Sequence, residues 1–209
     1  MLIWERLREH WALVSASESV SGDSVPVITN HCWHHGKVGD TLSPSHTGTA
    51  RPPWVGEVDK GFYGIMANFN GERLGMAAQS AAYARVCIEE AAAWAQQGET
   101  FGQRLADHQV IRHKIAAMCQ RVWATNAMLD QLTWRVQTGE QPIAELAMLK
   151  VQATETMEFC AREAMQILGG AGFIRGHRVE RIYREVRVMA IGGGSEEIMR
   201  DLAARQLGL

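Results

Sequence analysis

The chain has 209 residues, of which 46% are hydrophobic and 21% are charged, a composition typical of a folded protein and not of a disordered or fibrous one. Its formal net charge of −2 gives no basic excess for nucleic-acid binding, and its four cysteines form no close pair that would indicate a disulfide framework or a zinc site. The charged N-terminus and the lack of any apolar run of about 18 residues predict neither a signal peptide nor a membrane span, and therefore a cytoplasmic protein.

The first 54 residues are predicted to form an irregular N-terminal extension. Apolar residues between positions 3 and 14 recur at helical spacing and indicate one short amphipathic helix. Residues 15–53 are rich in Ser, Thr, Gly, His and Pro without a sustained period, which is typical of a loop or weak strand. Three histidines and a cysteine lie together at 31–35, but their spacing fits no standard zinc pattern, so a polar loop is favoured over a metal site.

From residue 55 to residue 209 the pattern is helical, and it predicts an all-α, up-and-down bundle. Apolar residues alternate at spacings of three and four over three long spans, which predicts helices at 72–97, 103–138 and 142–168. The first of these helices carries a seam of alanines that lets a neighbouring helix approach closely. A shorter helix is predicted around 179–189, and a fifth helix follows with Ser195 as its cap. Short connections imply that neighbouring long helices are antiparallel.

Three features of the helical half have both a functional and a purely structural interpretation. Glu72 opens the first predicted helix, where it is either a general base or a solvated acid stabilised by the helix dipole. The glycine-rich stretches 166–173 and 191–198 either approach a ligand closely or simply cap helices, and neither follows a predicted strand as a dinucleotide fingerprint would. Residues 100–102 read in isolation as a simple interhelical connection.

In combination, these motifs resemble the C-terminal helical domain of the acyl-CoA dehydrogenase family over about residues 55–209. The residues that carry the resemblance are, in chain order, Gly61-Phe62, Glu72-Arg73-Leu74, Thr100-Phe101-Gly102, Gln166-x-x-Gly169-Gly170, Val179-Glu180-Arg181 and Gly194-Ser195-x-Glu197-Ile198. The resemblance implies an FAD-dependent oxidoreductase of fatty-acid metabolism that removes the α and β hydrogens of an acyl-CoA thioester. In such an enzyme a carboxylate takes the α-proton, the β-hydride goes to the flavin, and the electrons leave to electron-transfer flavoprotein.

The position of the base departs from the commonest family pattern. Most members carry the base in a Tyr-Glu-Gly-Thr sequence, and the matching position in this chain is Gly193. A branch resembling the isovaleryl and long-chain enzymes carries it directly before the helix-start Arg, and that position is Glu72. The resemblance therefore implies that Glu72 is the catalytic base and that Asn70 and Arg73 lie at the CoA-contacting positions.

The resemblance also implies a set of FAD contacts. Thr100, Phe101 and Gln109 match positions at which one subunit touches the FAD of its neighbour. The remaining adenosine and pyrophosphate contacts match Gln166, Gly169, Gly170, Ser195 and Glu197. Members of the family usually have an Arg three residues before the Phe of this turn, and this Arg pairs with the FAD pyrophosphate. In this chain the position is occupied by Gly98. Losing this charge-assisted contact is expected to weaken FAD binding.

The family resemblance also implies an assembly. The expected partners are an acyl-CoA substrate, electron-transfer flavoprotein and further copies of the chain in a dimer or tetramer built through this domain. Members of the family are much longer, so the chain is expected to be a truncated, internally deleted or frame-altered gene product. Residues 1–54 are then either a remnant of the middle β-domain or an artefact of the deletion or frame change. Two hypotheses follow: a flavin-dependent acyl-CoA dehydrogenase, or a non-enzymatic helical oligomerisation module left by truncation.

Overall fold

The computed structural model describes residues 61–209. The short helix predicted between residues 3 and 14, the irregular stretch 15–53 and the histidine group at 31–35 lie outside the described residues, as does the predicted domain boundary at residue 54. No helix in the described part of the chain has the length and apolar character needed to cross a membrane.

Six α-helices and one small hairpin follow one another between residues 61 and 209. The helices are α1 (Gly61–Gln97), α2 (Gln109–Gln137), α3 (Ile143–Leu168), α4 (Gly170–Phe173), α5 (Arg178–Ile191) and α6 (Glu196–Gln206). Between α1 and α2 lie two antiparallel strands of two residues each, β1 (Glu99–Thr100) and β2 (Gln103–Arg104), followed by a 3₁₀ turn at Leu105–Asp107. The predicted all-α bundle is confirmed.

Two predicted helix starts are wrong. α1 begins at Gly61 and not at residue 72, so Gly71 lies inside the helix. α2 begins at Gln109 and not at residue 103, because Gln103 and Arg104 form the second strand of the hairpin and His108 at the N-cap is extended. Phe101 and Gly102, with positive φ angles of 52° and 77°, turn the chain at the hairpin tip. The start of α3 and the C-terminal ends of α1, α2 and α3 agree with the prediction to within one residue.

Glycine and proline set several of the helix ends. α2 ends just before Gly139, which has φ of 90°, and Pro142 stands immediately before α3, where its missing N–H costs nothing. Gly169 has φ of 60° and ends α3. Ser195 stands at the N-cap of α6, but its hydroxyl makes no hydrogen bond to the helix backbone, so the predicted cap is present by position only.

α3 is the central helix of the bundle and packs against α1, α2, α5 and α6. The alanine seam of α1 is buried inside the chain, where Ala77 packs in one cluster with Leu149 and Ala153 of α3. Small side chains at this contact let the two helix backbones approach closely. The seam therefore serves packing within the chain and is not left for another subunit to cover.

α2 and α3 are antiparallel, as predicted. Lys114 near the start of α2 pairs with Glu163 near the end of α3, and the hydroxyls of Thr125 and Thr156 lie 3.0 Å apart farther along. The hairpin before α2 therefore lies at the same end of the bundle as the end of α3. We call this the hairpin end (residues 98–109 and 162–170), and we call the opposite end, formed by residues 70–76, Lys150 and residues 192–199, the glycine-turn end.

Candidate functional site

The glycine-turn end is built around three glycines that follow α5. Gly193 and Gly194 have positive φ angles of 68° and 117°, which glycine adopts without strain. A Cβ at Gly193 would lie 3.0 Å from the sulfur of Met76 on α1, so the turn is packed directly against α1. Residues 192–194, which we call the glycine turn, therefore hold a backbone conformation that disfavours a side chain at position 193.

Arg73 joins α1 to the glycine turn. Its side chain is only 6% exposed, its Nε donates to the carbonyl of Gly193 at 3.1 Å, and its Nη1 donates to Oδ1 of Asn70 at 3.0 Å. Burial lowers the pKa of the Arg73 guanidinium, and the neighbouring Glu72 carboxylate acts in the opposite direction. The structure thus brings together Asn70, Arg73 and the glycine turn, three features that the sequence had singled out separately.

Glu72 is an exposed residue within α1. Its Oε1 accepts a hydrogen bond from Nδ2 of Asn68 at 2.8 Å. Because α1 begins at Gly61, three helical turns earlier, Glu72 is not a helix-start acid, and stabilisation by the helix dipole does not explain its presence. Its place beside Arg73 puts it on the helix segment that contacts the glycine turn.

Lys150 is a residue of this end that the sequence interpretation missed. It lies on α3, its side chain is fully buried, and its Nζ donates to the carbonyls of Ala190 and Gly194 at 2.6 and 2.7 Å. Burial lowers the pKa of Lys150 to about 8, opposed by Glu196 and assisted by Arg73. The signal available in the sequence was a lone lysine next to the apolar positions 146, 149 and 153 of a core helix.

Ser195 and Glu197 lie at the start of α6, directly after the glycine turn. The pKa of the Glu197 carboxyl is lowered by hydrogen bonds from the backbone amide of Glu197 itself and from the Ser195 hydroxyl. Glu197 is exposed, so its carboxylate is free to meet solvent or a ligand at this end.

The hairpin end carries a second group of predicted site residues. Phe101 at the hairpin tip is 99% exposed, and the exposed Thr100 has its hydroxyl 3.1 Å from Nε2 of His108. Gly98 precedes the hairpin, and a Cβ at this position would lie 2.6 Å from Cδ1 of Leu105, so the arginine expected there would require Leu105 to move. Gln109 is an exposed residue at the start of α2.

An open cleft lies near the end of α3. It has a volume of about 430 Å³ and is lined by Arg162, Met165, Gln166, Gly169 and Tyr183. Gly170 follows directly as the first residue of α4. Arg162 and Tyr183 were not among the predicted site residues, because one lies on a core helix and the other on α5, and only the fold brings them together.

The two groups of site residues lie far apart within one chain. From Lys150 to Gln166 the helix rises about 24 Å, at about 1.5 Å per residue. Asn70, Glu72, Arg73, Ser195 and Glu197 belong to the glycine-turn end, and Thr100, Phe101, Gln109, Gln166, Gly169 and Gly170 belong to the hairpin end. The structure therefore brings the predicted residues into two sites and not into one.

The cleft at the hairpin end presents polar, charged and aromatic side chains that can contact a nucleotide. At the hairpin end, an amide side chain, an arginine and a tyrosine surround a cleft of nucleotide size, and an exposed phenylalanine stands at the hairpin tip. Between residues 61 and 209, no three His, Cys, Asp or Glu side chains come together as metal ligands do.

Comparisons with known proteins agree on one family. The family model "Acyl-CoA dehydrogenase, C-terminal domain" matches residues 59–208. The chain is 38% identical over 163 residues to acyl-CoA dehydrogenase AFT10-1 of Alternaria alternata, covering 73% of this chain and 38% of that protein. It is 35% identical to CarC of Acetobacterium woodii, a subunit of a caffeyl-CoA reductase-Etf complex, covering 73% of this chain and 40% of that protein.

A solved structure supports the same assignment. The crystal structure of a probable acyl-CoA dehydrogenase from Mycobacterium abscessus superposes with a TM-score of 0.72 at 40% identity, covering 74% of this chain and 41% of that one. The chain thus spans about two fifths of the length of these relatives. The shared part is the helical bundle described above.

Proposed function

The chain belongs to the acyl-CoA dehydrogenase family through its C-terminal helical domain, and on this basis we propose that it takes part in the FAD-dependent α,β-dehydrogenation of an acyl-CoA thioester to the trans-2-enoyl-CoA. The observation that carries the proposal is the hydrogen bond from Arg73 to the carbonyl of Gly193. It joins the helix bearing Glu72 to the turn where most of the family carries its base.

In this proposal Glu72 is the catalytic base. Taking a proton from the α-carbon requires a carboxylate within reach of it, and Glu72 stands on the helix segment that contacts the glycine turn. An apolar acyl chain packed beside Glu72 would exclude water from the carboxylate, and a carboxylate shielded from water is a stronger base. Asn70 and Arg73, joined by a hydrogen bond of 3.0 Å, would bind the CoA portion next to it.

The hairpin end and the start of α6 would hold FAD. Ser195 and Glu197 would donate and accept hydrogen bonds near the pyrophosphate of the FAD bound beside Glu72 of their own chain. Gln166, Gly169 and Gly170 at the cleft, together with Thr100, Phe101 and Gln109 of the hairpin, lie at the opposite end and would contact the FAD of a neighbouring subunit. The chemistry that FAD supplies when bound is acceptance of the β-hydride. Without an arginine at position 98, FAD binding is expected to be weaker than in relatives that have one.

The separation of the two ends favours assembly from several copies. One chain has its base and its hairpin about 36 Å apart along α1, counting from Arg73 to Gln97 at about 1.5 Å per residue. A cofactor bound near Glu72 of one copy would therefore be reached by the hairpin of another copy. A homodimer or homotetramer, located in the cytoplasm, is part of this proposal.

The proposed electron acceptor is electron-transfer flavoprotein. The support is that a relative, CarC of Acetobacterium woodii, is named as a subunit of a reductase-Etf complex. Because that relative is named as a subunit of a reductase, the assay should be run in the reducing as well as the oxidising direction.

The deciding experiment measures flavin and its reduction. The purified chain is expected to bind FAD and show a flavin absorption band, and anaerobic addition of an acyl-CoA should bleach that band. The probe is a series of acyl-CoA thioesters of different chain lengths. A colourless chain that binds no added FAD, yet still assembles into oligomers, would instead support the non-enzymatic oligomerisation module.

A further inference from the structure

The glycine turn is held by cations from two different helices. Lys150 of α3 donates to the carbonyls of Ala190 and Gly194, and Arg73 of α1 donates to the carbonyl of Gly193 between them. The Ala190 carbonyl lies in the last turn of α5, whose carbonyls have no partner in a following helical turn, and the Gly193 and Gly194 carbonyls belong to the turn after it. A cation at this position is favoured by the negative end of the helix dipole.

A lysine at position 150 has an energetic cost, because its charge is removed from water. Its side chain is fully buried, and a buried charge is unfavourable unless hydrogen bonds compensate it. Lys150 lies about two turns into α3, among apolar residues that would pack equally well around a methionine. Packing alone therefore does not account for a lysine, whereas its two backbone contacts do.

We propose that Lys150 is a positioning residue that fixes the glycine turn against α1, so that Arg73 and the neighbouring Glu72 keep their places. The inference deepens the proposed function, because it matters for turnover only if Glu72 is the base. Lys150 does not touch the substrate in this arrangement. It acts through the glycine turn, which Lys150 and Arg73 hold from two sides. We call these two residues with their backbone contacts the clamp.

Hydrogen–deuterium exchange of the glycine turn tests the clamp directly. The amides of Gly192 and Gly194 donate to the carbonyls of Val188 and Ile191 at 2.8 and 3.3 Å, so their exchange reports whether the turn keeps its shape. In Lys150→Met, exchange in the peptide covering residues 190–195 should become about tenfold faster, because two carbonyls lose a charged donor. Lys150→Arg keeps the charge and the donors and should restore part of the protection.

The matched control is Lys114→Met. Lys114 is the other lysine between residues 61 and 209, and it pairs with Glu163 at the hairpin end. Its loss should leave exchange of residues 190–195 unchanged. Should Lys150→Met fail to give a helical circular dichroism spectrum, Lys150→Gln takes its place, with faster exchange of the turn again expected.

Steady-state kinetics of Lys150→Met distinguish a positioning role of Lys150 from a role in fold stability alone. In the FAD-loaded protein, Lys150→Met should lower kcat through Glu72 and raise KM for acyl-CoA through Arg73, whereas a lysine that only stabilises the fold would leave kcat and KM of the folded protein intact. Unchanged exchange of the turn in the methionine variant, or an equal rise in the Lys114 control, overturns the proposal. A parent protein with no flavin and no turnover would refute the proposed function alone, since exchange still decides whether Lys150 holds the turn.

Discussion

Residues 72 and 193 are the two positions that the family resemblance offers for the catalytic base, and the local structure accommodates a side chain without strain at only one of them. Gly193 has φ of 68°, and a Cβ there would press on the sulfur of Met76. Glu72 occupies an ordinary helical position with an exposed side chain. A carboxylate is therefore accommodated without strain at position 72 and with strain at position 193.

We predict that Glu72→Gln lowers turnover of acyl-CoA by about 10²- to 10⁴-fold, because the amide keeps the shape of the side chain but cannot accept the α-proton. FAD binding should be unchanged, since Glu72 is not among the proposed FAD contacts. The measurement is steady-state turnover together with the ratio of flavin to protein absorbance.

The control for this variant is Glu89→Gln. Glu89 is another exposed carboxylate of α1, paired with Arg85 at 3.8 Å and remote from the glycine turn. It should keep the parental turnover. If Glu72→Gln turned over acyl-CoA at nearly the parental rate, Glu72 would not be the base.

The β1–β2 hairpin stands out among the elements for having an exposed phenylalanine in a left-handed conformation. Phe101 has φ of 52° and is 99% exposed, so within one chain its ring contributes no packing to offset the backbone strain. Such a residue is unfavourable for an isolated chain. A contact with another subunit would account for its retention.

We predict that Phe101→Gly stabilises the single chain by about 1 kcal/mol, because glycine adopts positive φ freely. The same change should weaken self-association. Chemical unfolding of the dissociated chain measures the first effect, and sedimentation over a range of concentrations measures the second.

Gly102→Ala is the matched variant for the hairpin. Nothing lies within 4 Å of a Cβ at this position, yet its φ of 77° strains any residue with a side chain. It should destabilise the chain without removing an aromatic contact. Unchanged association in Phe101→Gly would exclude the hairpin tip from the subunit interface.

One shielded carboxylate, that of Glu163, contributes to the pairing of α2 with α3. Burial opposes ionisation of Glu163, but the hydrogen bond and charge of Lys114, together with Arg162, outweigh it and lower the pKa of the Glu163 carboxyl. A carboxyl with a lowered pKa in the folded state stabilises the fold above its unfolded pKa of about 4.5, and this stabilisation is lost as the pH falls through the folded value.

We therefore predict that the free energy of unfolding falls as the pH drops below about 4.5. Glu163→Gln should lower the free energy of unfolding at pH 7 by about 1–3 kcal/mol and flatten this acid dependence. Glu140→Gln, which removes an exposed partner of Arg135, should change it by about 1 kcal/mol or less. Parallel pH profiles for the parent and Glu163→Gln would contradict the assignment.

For the molecule as a whole, the proposed function together with the two-ended arrangement implies that one copy does not complete a site. The seam of α1 is already covered by α3, so the expectation of self-association rests on the exposed hairpin and on the distance between the two ends. An exposed aromatic residue and an open cleft at the same end are features of a surface that meets another molecule.

We predict that the chain associates with itself at micromolar concentration, because the hairpin end of one copy would reach the cofactor bound at another. Light scattering should give at least twice the mass of one chain. Added FAD should shift the equilibrium toward the oligomer, since a ligand that bridges copies binds only the assembled state. A monomer mass that FAD does not change would contradict this.

The sequence by itself determined the helical class, most helix ends and the family, because apolar spacing, glycine and proline act locally and the motifs are ordered along the chain. It misplaced the starts of α1 and α2: α1 continues N-terminally through Gly71 to Gly61, and residues 103–104 pair with β1 as a strand, so that α2 begins only at Gln109. Only the tertiary structure decided that Arg73 and Lys150 hold the glycine turn and that the site residues separate into two ends. Such contacts join residues 44 and 120 positions apart, which no local pattern encodes.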